Sequence, residues 1–238
     1  MFFYGGLLAP IKDWREFFIP LWQERVLHGP PLLPYFHMTE IRSRAWRAAH
    51  GLTEETAERR VDEAFLVIDR VSSLRPISSR MDGGSFRDKF KKKMRIASGA
   101  AKHFAPDYLA FIGYVFTVLG HVGDYFPDAE KVDFLVERKD GITDHVNEFY
   151  DDIQSSLNEC GEARLGKLLG ELIPGGKDRV PLQAADVFCW HAYRREIGKL
   201  TEVDSQRYKS FAYRRGQRQQ WEDGMLAKLK TATEGRIK

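Results

Sequence analysis

The chain has 238 residues, of which 43% are hydrophobic and 13% aromatic, values that are ordinary for one globular unit with an appendage. Its 37 basic and 34 acidic side chains give a net charge of only +3, so net charge alone does not indicate a polyanionic partner. Cys160 and Cys189 lie far apart without a metal-binding spacing, which excludes a disulfide framework or a zinc knuckle as the organising feature. We therefore expect a reducing, cytoplasmic location.

Hydropathy gives no indication of a membrane protein. The most apolar stretch, Tyr108 to Gly120, is shorter than the ~20 residues that a membrane span needs, and Asp107 and His121 bound it. This stretch is predicted to form a buried core helix. The N-terminal sequence MFFYGGLLAP lacks the basic region and cleavage pattern of a secretory signal, so no membrane partner is expected, and the oligomeric state is left open.

The N-terminal half alternates predicted strands and helices. A short strand is expected from Phe2 to Ala9, and a brief extended segment is expected in YFHMTEIRSR, where it ends at a helix start. Between them, apolar residues recur at steps of three and four and predict an amphipathic helix: Trp14, Phe17, Phe18, Leu21, Trp22 and Val26. Thr53 is a good N-cap for a helix that runs to about Leu74, and the following PISSRM resembles a strand.

The C-terminal half continues the alternation. A strand is predicted at VDFLVER, a helix from Thr143 or Asp144, a strand near Leu168 to Ile173, and a helix from about Leu182 to Ile197. This order predicts an α/β fold with one mixed sheet that contains Phe2 to Leu8 and Val132 to Val136, within a single domain over residues 1–200. Residues 201–238 are predicted to form a helical C-terminal appendage, because Trp221, Met225 and Leu229 repeat with a helical period.

One basic cluster lies in the sequence RDKFKKKMR. Its members are Arg87, Lys89, Lys91, Lys92, Lys93 and Arg95. Concentrated positive charge is what phosphate binding requires, so the cluster is a candidate nucleic-acid-binding segment. A solvated surface would have the same composition, and both interpretations stay open.

The candidate chemistry lies in dispersed acids, because the sequence contains no Gly-rich phosphate loop, GxSxG elbow or HExxH helix. Glu40, Glu137 and Asp186 each stand in more apolar surroundings than a carboxylate prefers. Carboxylates gathered in one pocket repel one another unless a divalent cation such as Mg²⁺ lies between them. Structural roles compete with this reading: Glu40 as a helix cap, Glu137 paired with a basic residue, and Asp186 paired with an arginine or a backbone amide.

Four segments carry a family resemblance. YGGLLAPIKDWREFFIPLWQERV, YFHMTEI, VDFLVER and VPLQAADVFCW occur in an order, and over most of the chain, that resembles the uncharacterised family called domain of unknown function 3800. The LQAAD element is the most specific and FHMTE the next. The resemblance implies a ribonuclease H-like mixed sheet flanked by helices, with acids around a divalent metal at the edge of the sheet. It also implies an association with phage defence or mobile elements.

The resemblance assigns site residues one by one. His37 and Glu40 occupy the FHMTE position, Glu137 stands where the family usually has an aspartate, and Gln183 and Asp186 occupy the LQAAD position. The family's first strand carries an acidic motif before the GG strand, whereas this sequence starts at MFFYGG. Either the start codon is assigned too late, or a principal metal ligand has been lost.

Two functions follow as expectations. The first is a divalent-metal-dependent nuclease or phosphoryl-transfer hydrolase acting on nucleic acid, with Mg²⁺ or Mn²⁺ held by Glu40, Glu137 and Asp186 in one cleft. His37 and Gln183 complete its catalytic set. The alternative is a catalytically inactive module that binds nucleic acid or protein.

Overall fold

A computed structural model describes residues 1–85, 94–98, 100–104, 106–138, 143–159, 163–212 and 217–221. The strands are β1 (Phe2–Leu8), β2 (Arg75–Met81), β3 (Met94–Ser98), β4 (Ala100–Phe104), β5 (Val132–Glu137), β6 (Leu169–Gly175) and β7 (Gln217–Trp221). The helices are α1 (Ile11–Asp13), α2 (Ile19–Trp22), α3 (Met38–Ile41), α4 (Arg44–Ala49), α5 (Glu54–Arg70), α6 (Pro106–Tyr125), α7 (Thr143–Glu159), α8 (Ala163–Leu168), α9 (Val180–Glu196) and α10 (Glu202–Ala212). The mixed α/β class is therefore confirmed.

The described strands form three separate sheets. In the first, β1 pairs antiparallel with β2, and β2 pairs in parallel with β7. The second is the β3–β4 hairpin, and the third is the parallel pair of β5 and β6. The sequence placed β1 and β5 in one sheet, and this is wrong for the described strands because β5 takes its hydrogen bonds from β6.

Two helices cover opposite faces of β1. A side chain at Gly5 would meet Phe188 and Cys189 of α9, at 3.2 and 3.1 Å from the new carbon atom. A side chain at Gly6 would lie 2.6 Å from the hydroxyl of Tyr114 on α6. The two glycines thus let the strand pass closely between α6 and α9. This close approach explains why glycine, a poor strand former, occupies both positions.

The apolar side chains form two buried clusters. One joins residues 14–27 to α5 and α9, and the other joins α6 to α7 and β5. The predicted core helix at Tyr108 to Gly120 is confirmed within α6, whose buried residues include Phe111, Val115 and Leu119. In the part of the chain that the structure describes, no helix has both the length and the apolarity of a bilayer span.

The C-terminal segment differs from the prediction. Helix α10 is present, but residues 217–221 form a strand that extends the first sheet beside β2, with Ile77 opposite Gln217. The expectation of a purely helical appendage is therefore wrong at Trp221, since backbone pairing with β2 replaces the helical period. Met225 and Leu229 lie outside the described residues.

The basic cluster also lies mostly outside the described residues. This applies to Arg87, Lys89, Lys91, Lys92 and Lys93, whereas Arg95 lies in β3 opposite His103. Its role in nucleic-acid binding remains a prediction.

Candidate functional site

The five predicted site residues come from three segments that meet in space. His37 precedes α3 in an extended conformation, and Glu40 lies within that helix. Glu137 ends β5, and residues 176–179 lead from the end of β6 into α9, which carries Gln183 and Asp186. Because β5 and β6 are parallel, their carboxyl ends share one edge, the edge at which α/β folds usually bind ligands.

Asp186 has partners, which explains a carboxylate on this apolar helix. The backbone N–H of Met38 donates to Oδ2 at 2.6 Å, and Nε2 of His37 lies 3.5 Å from Oδ1. Burial raises the pKa of Asp186, and the charge of Glu137 raises it further, while His37 and the Met38 amide act in the opposite direction. The carboxyl group is therefore held in place but carries negative charge at a cost.

Gln183 is a structural connector, only 2% exposed. Its Oε1 accepts hydrogen bonds from Trp22 Nε1 at 2.8 Å and from the Phe36 backbone N–H at 3.2 Å. Its Nε2 donates to the Lys177 carbonyl at 2.9 Å. One amide thus ties α2, the segment before α3 and the loop before α9 to the helix that carries Asp186.

Glu40 forms an ion pair that the sequence did not reveal. Lys177 Nζ donates to Oε1 of Glu40 at 2.7 Å, and the Lys177 ammonium also lies 5.6 Å from the ring centroid of Tyr35. Burial acts to raise the pKa of Glu40, but the hydrogen bonds from Lys177 and Tyr35 outweigh it and lower the pKa. The second oxygen, Oε2, is buried without a hydrogen-bond partner in the structure.

Glu137 is exposed at the end of β5 and links the other two acids electrostatically. Its charge contributes to the raised pKa of Asp186, and it adds to the raised pKa of Lys177, which is due first to the hydrogen bond that Lys177 donates to Glu40. The three acids therefore belong to one charged region. A cleft of about 510 Å³ adjoins this region, and Asp186 lines it, whereas Glu40 and Glu137 are not among its lining residues.

Three exposed cationic residues belong to the same loops and strand ends as the acids. Arg138 follows Glu137, and its backbone N–H donates to the Gly175 carbonyl at 2.8 Å, which fixes it beside the end of β6. Arg179 is the N-cap residue of α9, and Lys177 lies two residues before it. All three side chains are exposed, and Lys177 already pairs with Glu40.

The donor set suits a hard cation in part. Carboxylate oxygens are the ligands that Mg²⁺ and Mn²⁺ prefer, and Mg²⁺ is held by one or two carboxylates together with substrate phosphates. Glu137 and Asp186 supply carboxylates of this kind, whereas Lys177 already neutralises Glu40. Within the described ranges, no group of three or more His, Cys, Asp or Glu residues is arranged to hold a metal ion. The metal site remains a prediction.

Comparison of the chain with protein-family models, with curated proteins and with solved structures gave no match in any of the three searches. The resemblance carried by FHMTE and LQAAD thus remains a prediction.

Proposed function

We propose that this protein is a divalent-metal-dependent hydrolase that cleaves phosphodiester bonds in nucleic acid. The observation that carries the proposal is the carboxyl group of Asp186, oriented by Met38 and His37 at the edge of an open cleft, with its pKa raised by burial and by Glu137. Asp186 lines this cleft, and a bound cation would stabilise its carboxylate together with that of Glu137, which repels it.

The residues have distinct roles in this proposal. Asp186 and Glu137 would hold Mg²⁺ or Mn²⁺, and a bound cation would neutralise charge on the scissile phosphate. Lys177, Arg138 and Arg179 bind flanking phosphates. His37 is the proton-transfer group, because its Nε2 lies 3.5 Å from Asp186 Oδ1 and histidine is the side chain most often used for general acid–base catalysis.

Gln183 and Glu40 act as positioning residues. Gln183 fixes the α9 helix against the segment that carries His37, and Glu40 holds the Lys177 ammonium at the rim. A ribonuclease H-like arrangement forms part of the proposal. It is supported by an antiparallel pair, β1 and β2, and a parallel pair, β5 and β6, with α9 packed against both β1 and β5. Activity in phage defence or in a mobile element extends the same proposal.

Cleavage of a labelled oligonucleotide tests the proposed hydrolase. The wild-type protein should cleave with Mn²⁺ and not with EDTA, and Asp186→Asn should reduce the rate on the order of 100-fold, since it removes charge stabilisation at the reacting phosphate. Asp128→Asn replaces an exposed carboxylate on another part of the surface and should retain the wild-type rate. Equal rates for Asp186→Asn and wild type would overturn the assignment.

Thermal unfolding tests metal binding independently of catalysis. A cation that binds only the folded state stabilises it, so Mn²⁺ at tenfold over its dissociation constant should raise the Tm of the wild type by about 3–6 °C. Asp186→Asn should lose this shift. In EDTA at neutral pH, the same substitution should raise the Tm slightly. An acid with a raised folded-state pKa destabilises the fold once it is ionised, and asparagine removes that charge. A Mn²⁺ shift that persists in Asp186→Asn would place the metal elsewhere.

A binding module without catalysis is the second candidate. It is favoured by the ion pair between Lys177 and Glu40, which satisfies one predicted ligand without a metal. Oligonucleotide binding with no Mn²⁺-dependent cleavage would support this candidate over the hydrolase.

A further inference from the structure

The cleft beside Asp186 is lined mainly by aromatic and apolar side chains. Its volume is about 510 Å³, within the range of sites for small organic groups. The lining residues come from the start of the chain and from α6, α7 and α9: Met1, Phe2, Phe3, Tyr4, Asp107, Val146, Phe149, Asp186, Cys189, Trp190 and Tyr193. A planar ring of nucleobase size is the type of ligand that such walls accommodate.

One face of α9 runs from the carboxylate site into this cleft. Asp186, Trp190 and Tyr193 follow at steps of four and three residues, so they lie on one side of the helix. Tyr193 is 41% exposed, which leaves a ring face accessible to a ligand. The Arg194 guanidinium lies 4.6 Å from the ring centroid of Trp190 and places positive charge beyond the aromatic residues.

The polar groups of the cleft have complementary positions. Asp107 and Asp186 are hydrogen-bond acceptors, and the exocyclic amino groups of adenine, cytosine and guanine are donors. Asp107 is close enough to Tyr4 to add to the effect of burial, and together they raise the pKa of Tyr4 to about 12. Arg194 adds a cation beside Trp190 of the lining, and the exposed residues Lys177 and Arg179 precede or cap the same helix, α9. Such a distribution suits a base in the cleft and phosphates at its rim.

We propose that the cleft binds an unpaired nucleobase next to the scissile phosphate, so that single-stranded nucleic acid is the substrate class. This inference rests on the proposed function, because it takes the adjacent acids as the site of cleavage. A base within a duplex is stacked on both faces and paired along its edge. Its faces are therefore unavailable to Tyr193, and its pairing edge is unavailable to Asp107. Stacking on aromatic rings is tolerant of sequence, and the amino-group acceptors favour A, C or G over T or U.

Binding in EDTA tests the inference without catalysis. The probe is a fluorescently labelled 12-nucleotide DNA strand of mixed sequence, compared with the duplex of the same sequence, by fluorescence anisotropy. Wild type should bind the single strand at least about fivefold more tightly than the duplex, and Tyr193→Ala should weaken single-strand binding by about 5- to 100-fold through loss of one stacking ring. Tyr193→Phe keeps the ring and should bind as wild type does.

Two further variants complete the test. Phe2→Ala removes a second exposed ring of the cleft and should also weaken binding, whereas Phe17→Ala removes a ring that is 57% exposed outside the cleft and should not. Equal affinity for duplex and single strand, or unchanged binding by both Tyr193→Ala and Phe2→Ala, would overturn the inference. If the protein binds single strands in this pattern but shows no Mn²⁺-dependent cleavage, the proposed hydrolase function is wrong and the binding inference stands.

Discussion

Replacing Gln183 by methionine is expected to lower the free energy of unfolding by about 2–4 kcal/mol. The two side chains have similar volume, but methionine cannot accept the hydrogen bonds from Trp22 Nε1 and the Phe36 amide or donate to the Lys177 carbonyl. Each buried polar group left without a partner costs about 1–3 kcal/mol. Urea unfolding monitored by tryptophan fluorescence measures the loss.

The matched control is Gln206→Met on α10. Gln206 is exposed, and its side chain donates to Glu202 one helical turn earlier, so the change should stay within about 0.5 kcal/mol. A loss for Gln183→Met no larger than that of the control would show that the amide is not a structural connector.

Asp204→Asn is expected to destabilise the protein by about 3 kcal/mol. Asp204 is 3% exposed, and its Oδ1 lies 2.6 Å from Arg42 and 3.2 Å from Arg207. Breaking a buried ion pair costs about 3–5 kcal/mol, and the lower end applies because Glu58 still pairs with both arginines. The measured quantity is the free energy of unfolding at pH 7, and Asp62→Asn serves as control, since this carboxylate binds Arg207 from a more exposed position.

Asp204→Asn should also change the pH dependence of stability in a known direction. Burial acts to raise the pKa of Asp204, but the nearby His191 imidazole, the hydrogen bond from Thr201 and the charge of Arg42 lower it overall. A carboxyl group with a lowered folded-state pKa stabilises the fold above its ordinary pKa of about 4, and this contribution is lost as pH falls below that value. Asp204→Asn should therefore lose less stability than wild type between about pH 5 and pH 3. A parallel decline in both proteins would contradict the assignment.

Local patterns predicted most of the individual elements. Thr53 caps α5 through its side chain, as its residue type indicated, and the alternation in VDFLVE gives β5. Sheet membership was not predictable in the same way, because strand pairing depends on partners far apart in sequence. Thus β7 pairs with β2 although about 140 residues separate Ile77 from Gln217.

In the candidate site, too, local features were predictable and long-range partners were not. Apolar surroundings pointed to Asp186, and the structure brings His37 and Met38 to it from about 150 residues away. Lys177 was missed, because a lysine in the polar loop GGKDR has no local feature that indicates a partner. Its contacts with Glu40 and Tyr35 arise only from folding. A polar residue in an apolar context is therefore visible in a sequence, whereas its counterion is not.

Residues 11–27 form a helical segment in which Trp14–Phe18 and Gln23–Leu27 are π-helical, and such turns take more than 3.6 residues. Side chains four positions apart then keep nearly the same direction around the helix axis, whereas a regular α-helix would turn each one further from the core. Phe18, Trp22 and Val26 accordingly all point inward, and all are fully buried. The π-helical turns thus orient the Trp22 indole toward Gln183, which lies three positions before Asp186 on α9.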